Sequence, residues 1–94
     1  MPKAVWKGVV LADSAKTIVV DGCHYFPNER VDSRYLRQSD HHSTCPWKGR
    51  ADYYHVVVGS LVNEDAAWIY RAPSEEAEQI KGYVAFGKDI AITP

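Results

Sequence analysis

The side chains best suited to chemistry are concentrated in one seven-residue run, Ser43-Thr44-Cys45-Pro46-Trp47-Lys48-Gly49. The run places a thiol, an indole and an ammonium within four positions, and the adjacent histidines His41 and His42 precede it. Such groups can serve as a nucleophile, as an acid or base, or as contacts to a ligand. The sequence therefore predicts that this segment lines the functional site.

Cys45 is the candidate nucleophile or redox centre of this run. Its thiolate would be favoured by Lys48, and by His41 or His42 where they come within a few ångströms. A reductase of the sulfoxide type would also need a second thiol for recycling, which only Cys23 could supply. The alternative is a partly buried thiol that packs as a small hydrophobic side chain.

A zinc site is a further interpretation of the same cysteines and histidines. The chain has no Cys-x-x-Cys pair, and adjacent residues of a strand point to opposite faces of a sheet. The available nitrogen and sulfur ligands therefore lack the spacing of a structural zinc site; they are Cys23, His24, His41, His42 and Cys45. We predict no metal and no cofactor.

Lys48 follows a proline-fixed turn, which suits an ammonium that binds a carboxylate, a phosphate or a buried acid. The expected partner is Glu64 or Asp65, on the strand predicted to return alongside. Glu64 is also a candidate general acid or base, since two neighbouring carboxylates raise the pKa of one of them. A purely structural ion pair that fixes the loop is the alternative for Lys48.

Aromatic side chains near the run could form the walls of a ligand pocket. Together with Lys48, the candidate ligand-binding residues are Trp47, Tyr53, Tyr54, Trp68 and Tyr70. The alternative is that these large side chains simply belong to the core. Alternation along a strand places Tyr53 and Tyr54 on opposite faces, so one of the two must face away from the interior.

The composition indicates one domain over residues 1–94. Eleven basic and twelve acidic residues nearly cancel, which argues against a nucleic-acid-binding protein with its strongly basic face. No apolar run approaches the ~20 residues of a membrane span, and the N-terminus lacks the apolar segment of a signal peptide. We expect a soluble cytoplasmic protein with free thiols and no membrane partner.

The elements that must position these residues are mostly short strands. Runs of β-branched residues predict strands over 9–12 and 17–20, and Asp21-Gly22 between strands predicts a tight hairpin. Ser74 is a suitable N-cap for one short helix near residues 74–81. The pattern predicts a mostly β domain, either a small barrel or a pair of small antiparallel sheets.

The run itself is expected between an irregular segment and a regular one. Residues 29–43 are polar and loop-like, apart from one helical turn capped by Asp32 or Ser33. Residues 51–58 form the best predicted strand, which directs one alternate set of side chains toward the core: Asp52, Tyr54, Val56 and Val58. A long loop would thus deliver the run onto a rigid strand.

The order of these segments resembles a known family. The run is followed by Tyr53-Tyr54, by Glu64-Asp65-Ala66-Ala67-Trp68 and by Gly82-Tyr83-Val84-Ala85-Phe86. In this order they resemble the bacterial and fungal family catalogued as domain of unknown function 427, over essentially the whole chain. The resemblance implies a β-tent fold, in which two antiparallel sheets meet at an angle, and no established activity. A nucleotidyltransferase label sometimes attached to the family gains no support from these residues, because no glycine-rich phosphate loop is visible.

Three functions stay open on the sequence. The favoured hypothesis is a domain that binds a small polar or aromatic ligand in a pocket lined by Cys45, Trp47, Lys48 and Glu64. The second is an enzyme of acid/base or thiol type that uses Cys45 or Glu64 in the same pocket. The third is an interaction module whose exposed aromatic residues contact a partner protein or a second copy of the chain.

Overall fold

Nine β-strands and three short 3₁₀ helices make up the computed structural model, which describes residues 1–94. The strands are β1 (Lys3–Trp6), β2 (Val9–Asp13), β3 (Ile18–Val20), β4 (Cys23–Pro27), β5 (Leu36–Cys45), β6 (Gly49–Val58), β7 (Leu61–Ile69), β8 (Tyr83–Phe86) and β9 (Ala91–Thr93). The 3₁₀ helices are Asn28–Arg30, Ser33–Tyr35 and Glu75–Ile80. None of the helices has the length and apolar character needed to span a bilayer.

The strands form two antiparallel sheets, as predicted for a mostly β protein. The smaller sheet has the order β2-β1-β9, and the larger sheet has the order β3-β4-β8-β7-β6-β5. The hairpin at Asp21-Gly22 is confirmed, since these two residues join β3 to β4 with φ angles of 52° and 78°. Two positive φ angles are what a type I′ turn requires, and glycine meets that requirement without strain.

The larger sheet packs one face against the smaller sheet to form the main core. This core combines side chains of both sheets, including Trp6, Leu11, Phe26, Val84 and Phe86. Val56 on β6 is fully buried in it, and Tyr54 and Val58 pack against it. The predicted inward face of this strand is therefore confirmed from Tyr54 onward.

A second, smaller cluster lies on the other face of the larger sheet. It consists of Val20, Tyr25, Ala51, Tyr70, Ala77, Ile80 and Ala85. Neighbours in sequence divide between the two faces, as Tyr25 and Phe26 do, because side chains alternate along a strand. Ala77 and Ile80 come from the last 3₁₀ helix, so this helix covers the second cluster.

The short helix predicted near residues 74–81 is present as the 3₁₀ helix Glu75–Ile80. Ser74 does not cap it with its side chain, because the hydroxyl donates a hydrogen bond to the backbone carbonyl of Trp47. Ala77, with a φ of −114°, interrupts the helical geometry. A helix of six residues has little intrinsic stability, so the burial of Ala77 and Ile80 holds it in place.

The expectation of an irregular segment over residues 29–43 is wrong for most of its length. Asp32 does cap a single turn, Ser33–Tyr35, by accepting a hydrogen bond from the backbone N–H of Arg34. From Leu36 onward, however, the chain forms β5, an edge strand of the larger sheet. Its polar sequence reflects an edge with both faces largely exposed. The seven-residue run therefore lies at the turn of the β5–β6 hairpin and not at the end of a long loop.

Candidate functional site

Lys48 lies in the turn between β5 and β6 and is almost buried, with 8% of its surface exposed. Its Nζ donates to Oδ2 of Asp21 at 2.8 Å and lies 5.4 Å and 5.7 Å from the ring centres of Trp47 and Tyr70. Asp21 belongs to the β3–β4 turn, at the opposite end of the larger sheet. The ion pair therefore joins two hairpins across the second cluster.

The surroundings of Lys48 keep it charged. Burial of the ammonium acts to lower the pKa of Lys48, but the hydrogen bond to Asp21 and the nearby hydroxyls of Tyr25 and Tyr70 outweigh it and raise the pKa to about 12. Burial also raises the pKa of Tyr70, and the neighbouring Tyr25 adds to that effect. At neutral pH Lys48 is therefore an ammonium and Tyr70 a neutral phenol.

The expectation that Lys48 pairs with Glu64 or Asp65 is wrong. Glu64 is exposed, and only its backbone carbonyl is engaged, by Nζ of Lys88 at 2.7 Å. Asp65 turns toward Ser39 and His55 instead. Both acidic residues lie in an irregular stretch of β7, where the register shifts against β6, and strand alternation does not predict where a bulge directs its side chains.

An aromatic surface, defined here by His41, Tyr53 and Trp68, borders the second cluster. The rings of Tyr53 and Trp68 are tilted by 45° with centres 6.0 Å apart, and the ring of His41 lies 4.6 Å from that of Tyr53. Both larger rings have a satisfied polar end, since Nε1 of Trp68 donates to Oη of Tyr25 at 3.2 Å and Oη of Tyr53 lies 2.9 Å from Oγ of Ser43. These bonds fix the rings while leaving them partly exposed.

Small residues on β8 make room for the ring of Trp68. Ala85 pairs with Trp68 across the sheet, and a Cβ placed on Gly87 would lie 3.0 Å from Cζ3 of the indole. The indole thus extends over β8 toward Tyr25 on β4. Tyr25 and Tyr70, which are 1% and 5% exposed, lie beneath this surface with ring centres 6.3 Å apart.

The predicted ligand-binding residues divide between two faces of the larger sheet. Tyr53, Trp68 and Tyr70 all pack in or against the second cluster, and of these three Tyr70 lies near Lys48. Tyr54 instead lies on the main-core side and accepts a hydrogen bond from Arg71 at 2.7 Å. Trp47 is 37% exposed and lies at the hairpin turn. The prediction that Tyr53 and Tyr54 point in opposite directions is confirmed, and Tyr53 is the one at the aromatic surface.

Cys45 ends β5 at the margin of the second cluster and is partly buried, as is Cys23. The two cysteines are free thiols. Neither nearby histidine contacts Cys45 through a hydrogen bond, because His41 packs on Tyr53 and His42 bonds to Asp52. Cys45 therefore lacks a positioned general base, although one is a requirement for nucleophilic activation by proton transfer.

Ser39, His55 and Asp65 form a polar cluster that the sequence did not reveal. Oγ of the buried Ser39 donates to Oδ1 of Asp65 at 2.5 Å, and the backbone N–H of Asp65 donates to Nδ1 of His55 at 3.1 Å. The hydrogen bond from Ser39 lowers the pKa of Asp65 and outweighs burial, with help from the charges of His41 and His55. Since Ser39 bonds to the carboxylate and not to the imidazole, the cluster has the composition of a hydrolase triad without its geometry.

The hollow expected between Trp47, Lys48 and Glu64 is not present. Four surface hollows occur, and none is lined by Cys45 or by any of these three residues. No group of three or more His, Cys, Asp or Glu side chains is arranged to hold a metal ion. A ligand at this site would therefore meet an open surface.

The fold and site define a class: a small all-β domain of two antiparallel sheets, with an aromatic surface on the side of the larger sheet that faces away from the main core. The chain belongs to the family described as domain of unknown function (DUF427), whose model matches residues 2–92. The resemblance noted from the sequence is thereby confirmed. No curated protein matches the chain.

Proposed function

We propose that the protein is a binding domain whose aromatic surface receives a small planar ligand. The observation that carries the proposal is the pair Tyr53 and Trp68, held at a fixed tilt by hydrogen bonds at both polar ends. Rings fixed before binding lose little conformational entropy when a ligand arrives. A planar or cationic group can stack on their π faces.

The charge of Lys48 is not part of this proposal. Asp21 neutralises it at 2.8 Å, and the side chain is nearly buried. An anionic ligand would have to displace Asp21 before it could bind the ammonium. The surface instead offers aromatic rings, the exposed imidazole of His41 and, at its margin, the thiol of Cys45.

Binding accounts for the geometry better than catalysis does. A thiol enzyme needs a base beside Cys45, and His41 and His42 are engaged elsewhere. An acid/base enzyme built on Glu64 needs that carboxylate beside the aromatic residues, whereas it is exposed in the bulge of β7. The same proposal locates the domain in the cytoplasm, which two free thiols support because disulfides are rare in reducing compartments.

The test is an NMR titration with planar probes, namely indole, nicotinamide and adenine. The chain has three indole N–H groups, those of Trp6, Trp47 and Trp68, and each gives a separate signal. We expect the signal of Trp68 to shift and saturate with at least one probe. The signal of Trp6, which is buried in the main core, serves as the internal control.

Two variants locate the binding surface. Tyr53→Ala removes one of the stacked rings, and we expect about tenfold weaker binding, since an aromatic contact contributes about 1 kcal/mol or more. Trp47→Ala, at the hairpin turn, is the matched control and should leave the dissociation constant unchanged. Loss of binding in the control alone, or shifts in no indole signal, would overturn the proposal. The dispersion of the amide spectrum reports whether each variant is folded.

A further inference from the structure

A second cluster of polar side chains lies at the start of β6, on the face opposite the aromatic surface. Oδ1 of Asp52 accepts from Nε of Arg50 at 3.0 Å and bonds Nδ1 of His42 at 2.8 Å. Oδ2 of the same carboxylate accepts from Nη1 of Arg71 at 2.6 Å. One carboxylate thus holds two guanidinium groups and an imidazole.

The register of the sheet explains this assembly. Arg50 and Asp52 are two residues apart on β6, so they share a face with Tyr54. His42 on β5 lies directly opposite Asp52 on one side, and Ile69 on β7 lies opposite it on the other. Arg71, two residues after Ile69, places its guanidinium beside the same carboxylate and donates to Oη of Tyr54 at 2.7 Å.

The cluster has an excess of positive charge and unused donors. Two arginines face a single carboxylate, whose ionised form is secured because its bonds to Arg71, His42 and Arg50 outweigh burial and lower the pKa of Asp52. Nη1 of Arg50 and Nε of Arg71 make no hydrogen bond within the chain. Both arginine side chains are about half exposed or more, at 62% and 48%.

The two guanidinium groups border a surface hollow of about 270 Å³, which is lined by Arg50, Asp52, Arg71 and Ala72. Guanidinium groups bind tetrahedral oxyanions through paired N–H donors, and a carboxylate that fixes their orientation reduces the entropy lost on binding. Asp52 supplies this orientation. The net charge of the cluster favours an anion over a neutral ligand.

We propose that this hollow binds a phosphate group, either as the free ion or as the monoester of a small molecule, with Arg50 and Arg71 as the phosphate-binding residues and Asp52 as the positioning residue. The site is separate from the aromatic surface, since Asp52 and Tyr53 are adjacent on β6 and point to opposite faces of the sheet. It therefore adds a second binding function to the one proposed above.

The experiment is an NMR titration of the full chain at constant ionic strength, with inorganic phosphate in one arm and phenyl phosphate in the other. We expect saturable shifts at the amides of residues 50–52 and 70–72. If the ligand is a phosphate ester, phenyl phosphate should bind more tightly than inorganic phosphate. If the site takes the free ion, inorganic phosphate should bind as tightly as phenyl phosphate. Either result supports an oxyanion site and identifies its source.

Substitutions distinguish a specific phosphate site from a nonspecific effect of surface charge. Arg71→Gln and Arg50→Gln should each weaken binding about tenfold, because each removes a charge-assisted hydrogen bond of about 1.5 kcal/mol or more. Arg34→Gln is the matched control, since Arg34 also pairs with a single aspartate, Asp32, but no second guanidinium bonds to that carboxylate. It should leave the affinity unchanged.

Two outcomes would overturn the proposal. Shifts that grow linearly without saturation, or that are the same in Arg71→Gln and Arg34→Gln, would show that phosphate interacts only with the overall charge of the protein. Arg50→Lys controls for loss of binding through misfolding, because lysine keeps the positive charge and lacks the paired N–H donors of arginine. This variant should bind more weakly than the natural protein while its amide spectrum stays dispersed.

Discussion

The ammonium of Lys48 has its charge balanced within the chain. Asp21 accepts from it at 2.8 Å, and two aromatic rings flank it. Its raised pKa, about 12, shows that the folded protein favours the charged form in spite of burial. Lys48 therefore stabilises the fold, and a structural ion pair that fixes the loop is the better interpretation of this residue.

A double-mutant cycle on Asp21→Asn and Lys48→Met measures this stabilisation. We expect a coupling energy of about 1 kcal/mol at pH 7 from urea unfolding, a modest value because Asp21 is largely exposed. The folded pKa lies above the ordinary value of 10.5, so the contribution is complete below about pH 10.5 and is lost as the pH rises through about 12. Additive single substitutions would contradict the prediction.

Sequence reasoning at this scale found the segment but not its contacts. Residue types alone pointed to Lys48, Trp68 and Tyr53 as candidates, because ammonium and aromatic side chains are suited to ligand contacts. The pairing of Lys48 with Asp21 could not be predicted, because Asp21 lies in a hairpin at the far end of the larger sheet. A hairpin turn predicts its own conformation, and says nothing about which distant side chain contacts it.

Two register shifts flank β6 and shape the site. Between Gln38 and His42, β5 carries extra residues opposite Tyr53, which brings His41 over that ring. On the other side, β7 carries extra residues opposite His55, which turns Asp65 toward Ser39. Asp65 has a φ of 53° there, a left-handed conformation that aspartate tolerates better than most residues. The two bulges thus position the side chains of His41 and Asp65.

Protonation of Asp65 should weaken the protein in acid. Its pKa is lowered in the folded state, chiefly by the bond from Ser39, so its contribution is present above the ordinary value of 3.8 and is lost as the pH falls through the folded pKa. Asp65→Asn should therefore be less stable than the natural protein at pH 7, and the two stability curves should converge as the pH falls toward ~2.

Urea unfolding across this pH range provides the measurement. Asp40→Asn is the control, because Asp40 is exposed in the bulge of β5 and makes no hydrogen bond through its side chain. Its curve should follow that of the natural protein. A constant difference between Asp65→Asn and the natural protein at all pH values would mean that the carboxylate charge has no role.

Strand elements with strict alternation were predictable, and the bulged ones were not. β6 shows clear periodicity toward its second half, and the hairpin at Asp21-Gly22 has a turn chemistry that admits few alternatives. β5 was missed because an edge strand with two exposed faces has no apolar alternation to detect. Locally, its sequence matches that of a polar loop.

The whole molecule has two apolar clusters on the two faces of one sheet. The main core joins the sheets, and the second cluster is closed by the 3₁₀ helix Glu75–Ile80. β4, β6 and β8 each contribute buried side chains to both clusters, whereas β7 contributes buried side chains to the main core and the partly buried Trp68 to the second cluster. Loss of the sheet would remove the support of both clusters at once.

We therefore expect the two clusters to unfold together. Trp6 reports on the main core, and Trp68 packs against the second cluster. A variant with Trp47→Phe and Trp68→Phe retains only Trp6, and one with Trp6→Phe and Trp47→Phe retains only Trp68. In each, the denaturation midpoint from fluorescence should equal that from circular dichroism. A midpoint for Trp68 at lower denaturant would show that the second cluster opens independently.

Within the smaller sheet, β1 lies between β2 and β9. Its bonds to β2 form between close neighbours in sequence, whereas those to β9 join Lys3 to Thr93. During synthesis one edge of the first strand consequently has no partner until β9 leaves the ribosome. Closing so long a loop is also slow compared with forming a hairpin. The smaller sheet is thus complete only when β9 has emerged.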